Sequence, residues 1–292
     1  MDLTRRSLLC GAVALAAARA WGAEALAVPP GRGRFVFRGW AGPAITVESW
    51  LPSRFSADAP VVIVMHGVGR NADHYCDAWG DAAAAGAVVL APCFDKTAFP
   101  GSAGYAQGFV RDAAGRAVPR ERWTFTAVEA LFDAVRAALG LWARDYVLFG
   151  HSAGAQFVHR LVWFLPRARY SLAIAANAGW YTLPDETLAW PYGLAGMAEA
   201  DVRRGLSRNV LLLLGGADID PQARSLRKSP QAEAQGATRL ERGHAMLAAV
   251  RAAAARQGVP CGWRAEEAPG IGHDGAAMSR AAWARLAPRL GS

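Results

Sequence analysis

Asp145-Tyr146-Val147-Leu148-Phe149 is an apolar run suited to a buried strand, and it leads without interruption into Gly150-His151-Ser152-Ala153-Gly154 and then a helix-like segment. A chain that passes from strand to helix in five residues must turn sharply. The serine then sits at the apex with its hydroxyl pointing outward, and the glycines stand where passing backbone leaves no room for a Cβ. The surrounding sequence repeats this alternation. Strands are predicted near 34–40 and 44–51, an antiparallel pair around Gly42-Pro43, and near 61–66, 87–92, 145–150, 171–176, 210–215 and 262–267. Helices are predicted near 71–85, 121–139, 153–165, 238–257 and 276–288; in the second, Val128, Leu131, Phe132, Val135 and Leu139 form a helical apolar stripe. Strands alternating with helices argue for an eight-stranded, mostly parallel sheet covered by helices on both faces. A hydrophobic content of 53% supplies the core for one α/β domain over 28–292.

A serine hydroxyl at such a turn becomes a nucleophile only beside a base that takes its proton, and the base needs an orienting partner. The sequence offers both at strand ends. Asn209-Val210-Leu211-Leu212-Leu213-Leu214 runs into a loop with two carboxylates, Asp218 and Asp220. The last strand leads into Pro269-Gly270-Ile271-Gly272-His273-Asp274-Gly275, which puts His273 on a glycine-lined loop. The apolar run Val61-Val62-Ile63-Val64-Met65 ends in His66-Gly67-Val68-Gly69-Arg70, where glycines let the backbone turn inward.

With these residues in place, the chain resembles an α/β-hydrolase of the serine esterase type, over nearly all of its length after the leader. The resemblance implies Ser152 as nucleophile, His273 as base and an acid that lies three residues after a strand-ending glycine, which Gly215 and Asp218 satisfy. Asp220 is the rival acid, or else a turn residue before Pro221. His66-Gly67-Val68-Gly69 resembles the family's H-G-x-G element, which implies that the N–H groups of Val68 and Ala153 receive the oxyanion. The chemistry implied is ester hydrolysis through an acyl-enzyme. A peptidase or acyltransferase with the same triad is the nearest alternative, and a non-catalytic binding protein on the same scaffold is one of another class. The arrangement is similar to secreted polyhydroxybutyrate depolymerases and feruloyl esterases, with a small or absent cap, since 181–207 is the only room for one. Phe94, Phe99, Tyr105, Trp180 and Tyr181 are candidate walls for a small-molecule or polymeric ester.

Residues 1–27 read as an export signal, with Arg5-Arg6 before a short apolar stretch resembling a twin-arginine leader. Ala18-Arg19-Ala20 and Ala25-Leu26-Ala27 both fit cleavage. A periplasmic or extracellular protein without stable membrane insertion is expected. Removal of the leader leaves Cys76, Cys93 and Cys261, and a Cys76–Cys93 bridge is open. The net charge of +8 comes almost wholly from arginine scattered along the chain, and the only lysines are Lys96 and Lys228. Without a basic block, nucleic acid is not an expected partner. No Cys/His set has zinc spacing, so neither metal nor cofactor is expected. His66 is read as a brace of its loop, His151 as a residue that packs or hydrogen-bonds beneath the elbow, and His74, His159 and His244 as surface or packing residues.

Overall fold

The computed structural model describes residues 26–290, so the predicted leader lies outside the described residues apart from its last two positions. Eight strands form one sheet: β1 (Gly31–Phe37), β2 (Ile45–Leu51), β3 (Val61–Met65), β4 (Val88–Cys93), β5 (Tyr146–His151), β6 (Tyr170–Ala176), β7 (Val210–Gly215) and β8 (Trp263–Ala268). Their order is β1-β2-β4-β3-β5-β6-β7-β8, antiparallel across β1–β2 and β2–β4 and parallel from there on. The expected eight-stranded, mostly parallel sheet is the one observed. Because β3 lies between β4 and β5, the connections leave β3 and β5 towards opposite edges, and the carboxyl ends of these two strands border a crevice.

The β3–β5 register puts Met65 opposite Gly150, so the loop His66-Gly67-Val68 emerges beside His151-Ser152-Ala153. On the other side, Gly215 pairs with Ala268, so the loops after β7 and β8 emerge together. Strand pairing thus gathers four loops, distant in sequence, at one sheet end.

Successive strand side chains point to opposite faces, and the core divides accordingly. Val61, Ile63 and Met65 pack with residues of α3 (Thr124–Leu139), α4 (Ala153–Phe164), α5 (Glu199–Leu206) and α7 (Arg239–Gln257). Val62 and Val64 pack on the opposite face with α1 (Ala72–Asp77), α2 (Gly80–Ala84) and α8 (Gly275–Leu290). Both faces are covered, which is why the central strands are apolar throughout.

Three local expectations are revised. The helix predicted over 71–85 is two short helices, broken where the wholly buried Trp79 turns its ring onto Phe149 at 5.1 Å between centroids. The first strand ends at Phe37; the Trp40 indole N–H donates to the Pro43 carbonyl at 2.8 Å and closes the turn into β2. Helix α5 and the four-residue α6 (Pro230–Glu233) were not foreseen. From 177 to 198 the chain carries neither helix nor strand, in keeping with a small or absent cap. Among the described residues no helix is long and apolar enough to cross a membrane. Cys76 and Cys93 are free thiols; the latter donates to the Arg70 carbonyl at 3.3 Å.

Candidate active site

Ser152 stands between β5 and α4 with φ 57° and ψ −114°, a region that a residue with a Cβ rarely enters and that costs about 1–3 kcal/mol. Two close approaches hold it there. A Cβ on Gly150 would lie 2.3 Å from the Gly154 carbonyl oxygen, and one on Gly154 would lie 2.2 Å from the Met65 carbonyl oxygen. Both obstacles are backbone, which cannot swing aside. Gly154→Ala is therefore expected to destabilise the fold by about 3 kcal/mol or more or to prevent folding. A purified variant melting within a degree or two of the parent would contradict this packing.

The Ser152 hydroxyl lies 3.0 Å from His273 Nε2, and His273 Nδ1 lies 2.7 Å from Asp218 Oδ2. With Nδ1–H donating to the carboxylate, Nε2 keeps its lone pair towards the serine. Asp218 is buried, and its other oxygen accepts from Arg239 Nη1 at 3.0 Å. Arg239 is also buried, and its Nη2 donates to Ser225 Oγ at 2.9 Å. Burial pushes the Asp218 carboxyl upward, but the hydrogen bond from His273, its charge and the Arg239 guanidinium outweigh that and hold it below the ordinary carboxylate range. The Asp218 charge is thus secured from two sides. Asp220 is exposed, and its carboxylate accepts from the Gln222 N–H at 2.8 Å as a turn residue does.

Asn177 fixes the loop that carries His273. Its Oδ1 accepts from the Gly215 N–H at 2.6 Å, and its Nδ2 donates to the Gly272 carbonyl at 3.0 Å. One amide at the end of β6 therefore ties the end of β7 to the histidine loop. Sequence reasoning missed both Asn177 and Arg239; the positive φ of Asn177, 49°, belongs to a residue type that tolerates it.

Three other histidines are buried. His66 Nε2 accepts from the Phe94 N–H at 3.0 Å, so Nδ1 carries the proton and donates to the Gly67 carbonyl at 2.9 Å. This matches its expected bracing role. His151 Nδ1 meets the Tyr75 hydroxyl at 2.8 Å, and its ring lies 4.6 Å from that of His273. His159 joins the Ala155 carbonyl and the Thr182 N–H, inside the core and not at the surface. Burial lowers His66 to about 4; burial, then the charge of His273, lowers His151 to about 3; burial takes His159 well below its ordinary value. All three stay neutral in the fold while the unfolded chain takes up protons below about pH 6.5. Stability is therefore full above that pH and falls on acidification, at up to about 4 kcal/mol per pH unit for three protons, until the folded values are reached. Urea midpoints measured from pH 8 to pH 4.5 are expected to drop steeply below 6.5; a flat profile would be inconsistent with three neutral buried rings.

Ser152 opens into a cavity of about 580 Å³ whose walls include Val68, Ala153, Tyr105, Gln156 and Trp180. Ala153 begins α4, so its N–H has no partner within the helix. Of the five aromatic residues suggested as walls, Tyr105 and Trp180 line this cavity; Phe94, Phe99 and Tyr181 do not. Phe94 and Phe99 lie in the core, with Phe94 stacked behind Tyr105 at 5.3 Å. Tyr181 is pinned by two backbone bonds to the Gln235 amide at 2.8 and 2.9 Å. These three fill the layer behind the wall. The charge of the lining was not foreseen either. Arg70, Lys96, Arg224, Arg227 and Lys228 all contribute, and no acidic side chain does among the described residues. No cluster of His, Cys, Asp or Glu among the described residues is arranged to hold a metal ion.

No protein-family model and no curated protein matches the chain. Solved structures do. Poly(aspartic acid) hydrolase-1 from Sphingomonas sp. KT-1 is 42% identical, over 87% of this chain and 98% of that one, with a TM-score of 0.86. The poly(3-hydroxybutyrate) depolymerase LpqC from Bordetella parapertussis is 36% identical, over 89% and 92%, with a TM-score of 0.83. An S-formylglutathione hydrolase from Agrobacterium tumefaciens, 16% identical over 89% and 94% with a TM-score of 0.54, shares the fold.

Proposed function

The chain belongs to the α/β-hydrolase superfamily, among its esterases and depolymerases, and on that premise we propose that it is a serine hydrolase cleaving carboxylic esters through Ser152, His273 and Asp218. The single observation that carries the reading is the unbroken line of hydrogen bonds from Ser152 Oγ through His273 to Asp218, 3.0 and 2.7 Å long, opening on a cavity. In this mechanism Ser152 Oγ attacks the ester carbonyl carbon as Nε2 of His273 takes its proton. The N–H groups of Val68 and Ala153 stabilise the oxyanion. The intermediate collapses, the alcohol leaves with the proton from His273, and an acyl-Ser152 ester remains. Water, deprotonated by His273, then releases the acid and restores the serine. Asp218 keeps Nδ1 protonated and offsets the imidazolium charge, with Arg239 holding its carboxylate in place.

The reading is tested by labelling with a fluorophosphonate probe and by a panel of esters of varied acyl length. Labelling at Ser152 and turnover of at least the short esters are expected; absence of both in folded protein would refute it.

The five cations of the lining favour a second reading, in which the acyl bond belongs to an anionic polymer and is an amide where that polymer is a polypeptide. One relative is named for poly(aspartic acid) and the other for poly(3-hydroxybutyrate), the first an amide-linked polyanion and the second an ester-linked chain that is neutral along its length. Incubation with each, scored by released end groups, separates them. Cleavage of the charged polymer, slowed by added salt, is the expected outcome; an intact charged polymer under conditions where the neutral ester polymer is cleaved rules the second reading out. We further infer that residues 1–27 direct export, which fractionation of cells producing the full chain checks.

A further inference from the structure

Helix α4 carries Gln156, His159 and Arg160 among otherwise apolar residues. Gln156 and Arg160 are four apart and share one face, about 6 Å from one to the other along the axis, and Ser152 stands just before the helix, four residues ahead of Gln156. Arg160 is completely buried and meets no carboxylate within ion-pair distance among the described residues. Its Nε donates to Thr182 Oγ1 at 2.8 Å, and its Nη1 donates to the Ala106 carbonyl at 3.0 Å and to Gln156 Oε1 at 3.2 Å. Nη2 has no partner, and the guanidinium carbon stands 4.0 Å over the Trp180 ring. Burial pushes the guanidinium down to about 9, so it remains a cation near neutrality. An unpaired buried charge costs several kcal/mol unless something outside the fold compensates it.

Ala106, Gln156 and Trp180, which surround that guanidinium, all line the cavity of Ser152. Arginine can only donate, so the atom of Gln156 facing it must be the carbonyl oxygen, and Nε2–H₂ is left on the other side. Opposite Nε2 is Gly179, where even a methyl group would stand 3.2 Å away, and this glycine also lines the cavity. The amide donor lies in the first turn of a twelve-residue helix, whose N-terminal end favours negative charge.

We propose that Gln156, oriented and polarised by Arg160, is a subsite one helical turn from Ser152 that receives a carboxylate of the substrate. The subsite rests on Ser152 being the nucleophile. It differs from the cationic rim in being set by a buried charge, which salt screens little. Gln156 contacts the substrate, and Arg160 positions it.

The test compares the p-nitrophenyl monoester of adipic acid, which ends in a carboxylate, with p-nitrophenyl hexanoate, which has the same acyl length and ends in a methyl. Both are assayed with the full chain in about 0.5 M salt, where the Debye length is roughly 4 Å and the rim is quenched. The wild-type protein is expected to favour the adipate. Gln156→Glu replaces a donor with a like charge and is expected to lower the ratio of kcat/KM values, adipate over hexanoate, by about 10- to 100-fold. Arg160→Lys, which keeps a charge but loses the fork, is expected to lower it less. A ratio unchanged by Gln156→Glu, or both substrates falling together, overturns the subsite; Gln156→Glu decides alone if the lysine variant does not fold. If Ser152→Ala abolishes turnover while the ratio stays unmoved by Gln156→Glu, the subsite fails and the nucleophile stands. If Ser152→Ala remains active, the functional reading itself fails.

Discussion

Replacing Ser152 with alanine is expected to lower kcat on a p-nitrophenyl ester by about 10⁶-fold, with a melting temperature close to the parent's. The hydroxyl supplies the bond to the acyl group, so its removal leaves only the slower catalysis by oxyanion donors and binding. His273→Ala is expected to cost a similar factor, and the double variant scarcely more than either single one, because the two groups act as one unit through the 3.0 Å contact between Oγ and Nε2. Independent, multiplying losses would mean that serine and histidine serve different steps.

The second large effect separates the two candidate acids. Asp218→Asn is expected to lower kcat by about 10⁴-fold, since an amide facing His273 Nδ1 no longer selects the tautomer that leaves Nε2 free for the serine. It also removes the formal charge opposite Arg239 in a pair that is 1% and 4% exposed. Leaving one member of a buried pair uncompensated costs about 3–5 kcal/mol, so a fall in the urea midpoint should accompany the loss of rate. Asp220→Asn changes neither by more than about twofold, as expected of an exposed substitution away from such features. A larger loss at Asp220 than at Asp218 would transfer the acid's role and undo the assignment of the 2.7 Å contact to His273.

The sequence was most legible where structure is local. The elbow is contiguous, so its strand, turn and helix could be read from 145–165, and the two glycines proved to stand against backbone oxygens. Asp218 and His273 were legible for a related reason. Each follows an apolar strand by a few residues, and strand ends of a parallel sheet gather on one side. The sequence also holds a signal in Gln156 and Arg160, four and eight residues after Ser152, which with His159 interrupt a helix that otherwise reads Phe157, Val158, Leu161, Val162, Trp163.

Contacts between neighbouring loops were not legible. Asn177 reaches Gly272 across 95 positions, and Arg239 reaches Asp218 across 21, from a helix that begins only after α6 and its flanking loops. Nothing in residue type marked Tyr105 and Trp180 as wall and Phe94, Phe99 and Tyr181 as filling; all five are aromatic residues on loops after strands. Nor did charge spacing reveal a cationic cavity, because its five basic residues come from three separate stretches.

From its sequence alone, this chain is determined as an α/β sheet with a serine poised at a strand–helix turn, since hydrophobic alternation and steric limits on backbone act over a few residues, and its motifs supply the resemblance to an α/β-hydrolase. The tertiary structure decides which aromatic residues line the cavity, which arginine pairs with Asp218 and what charge the cavity presents. Those depend on strand order and register, which bring remote loops within hydrogen-bonding distance.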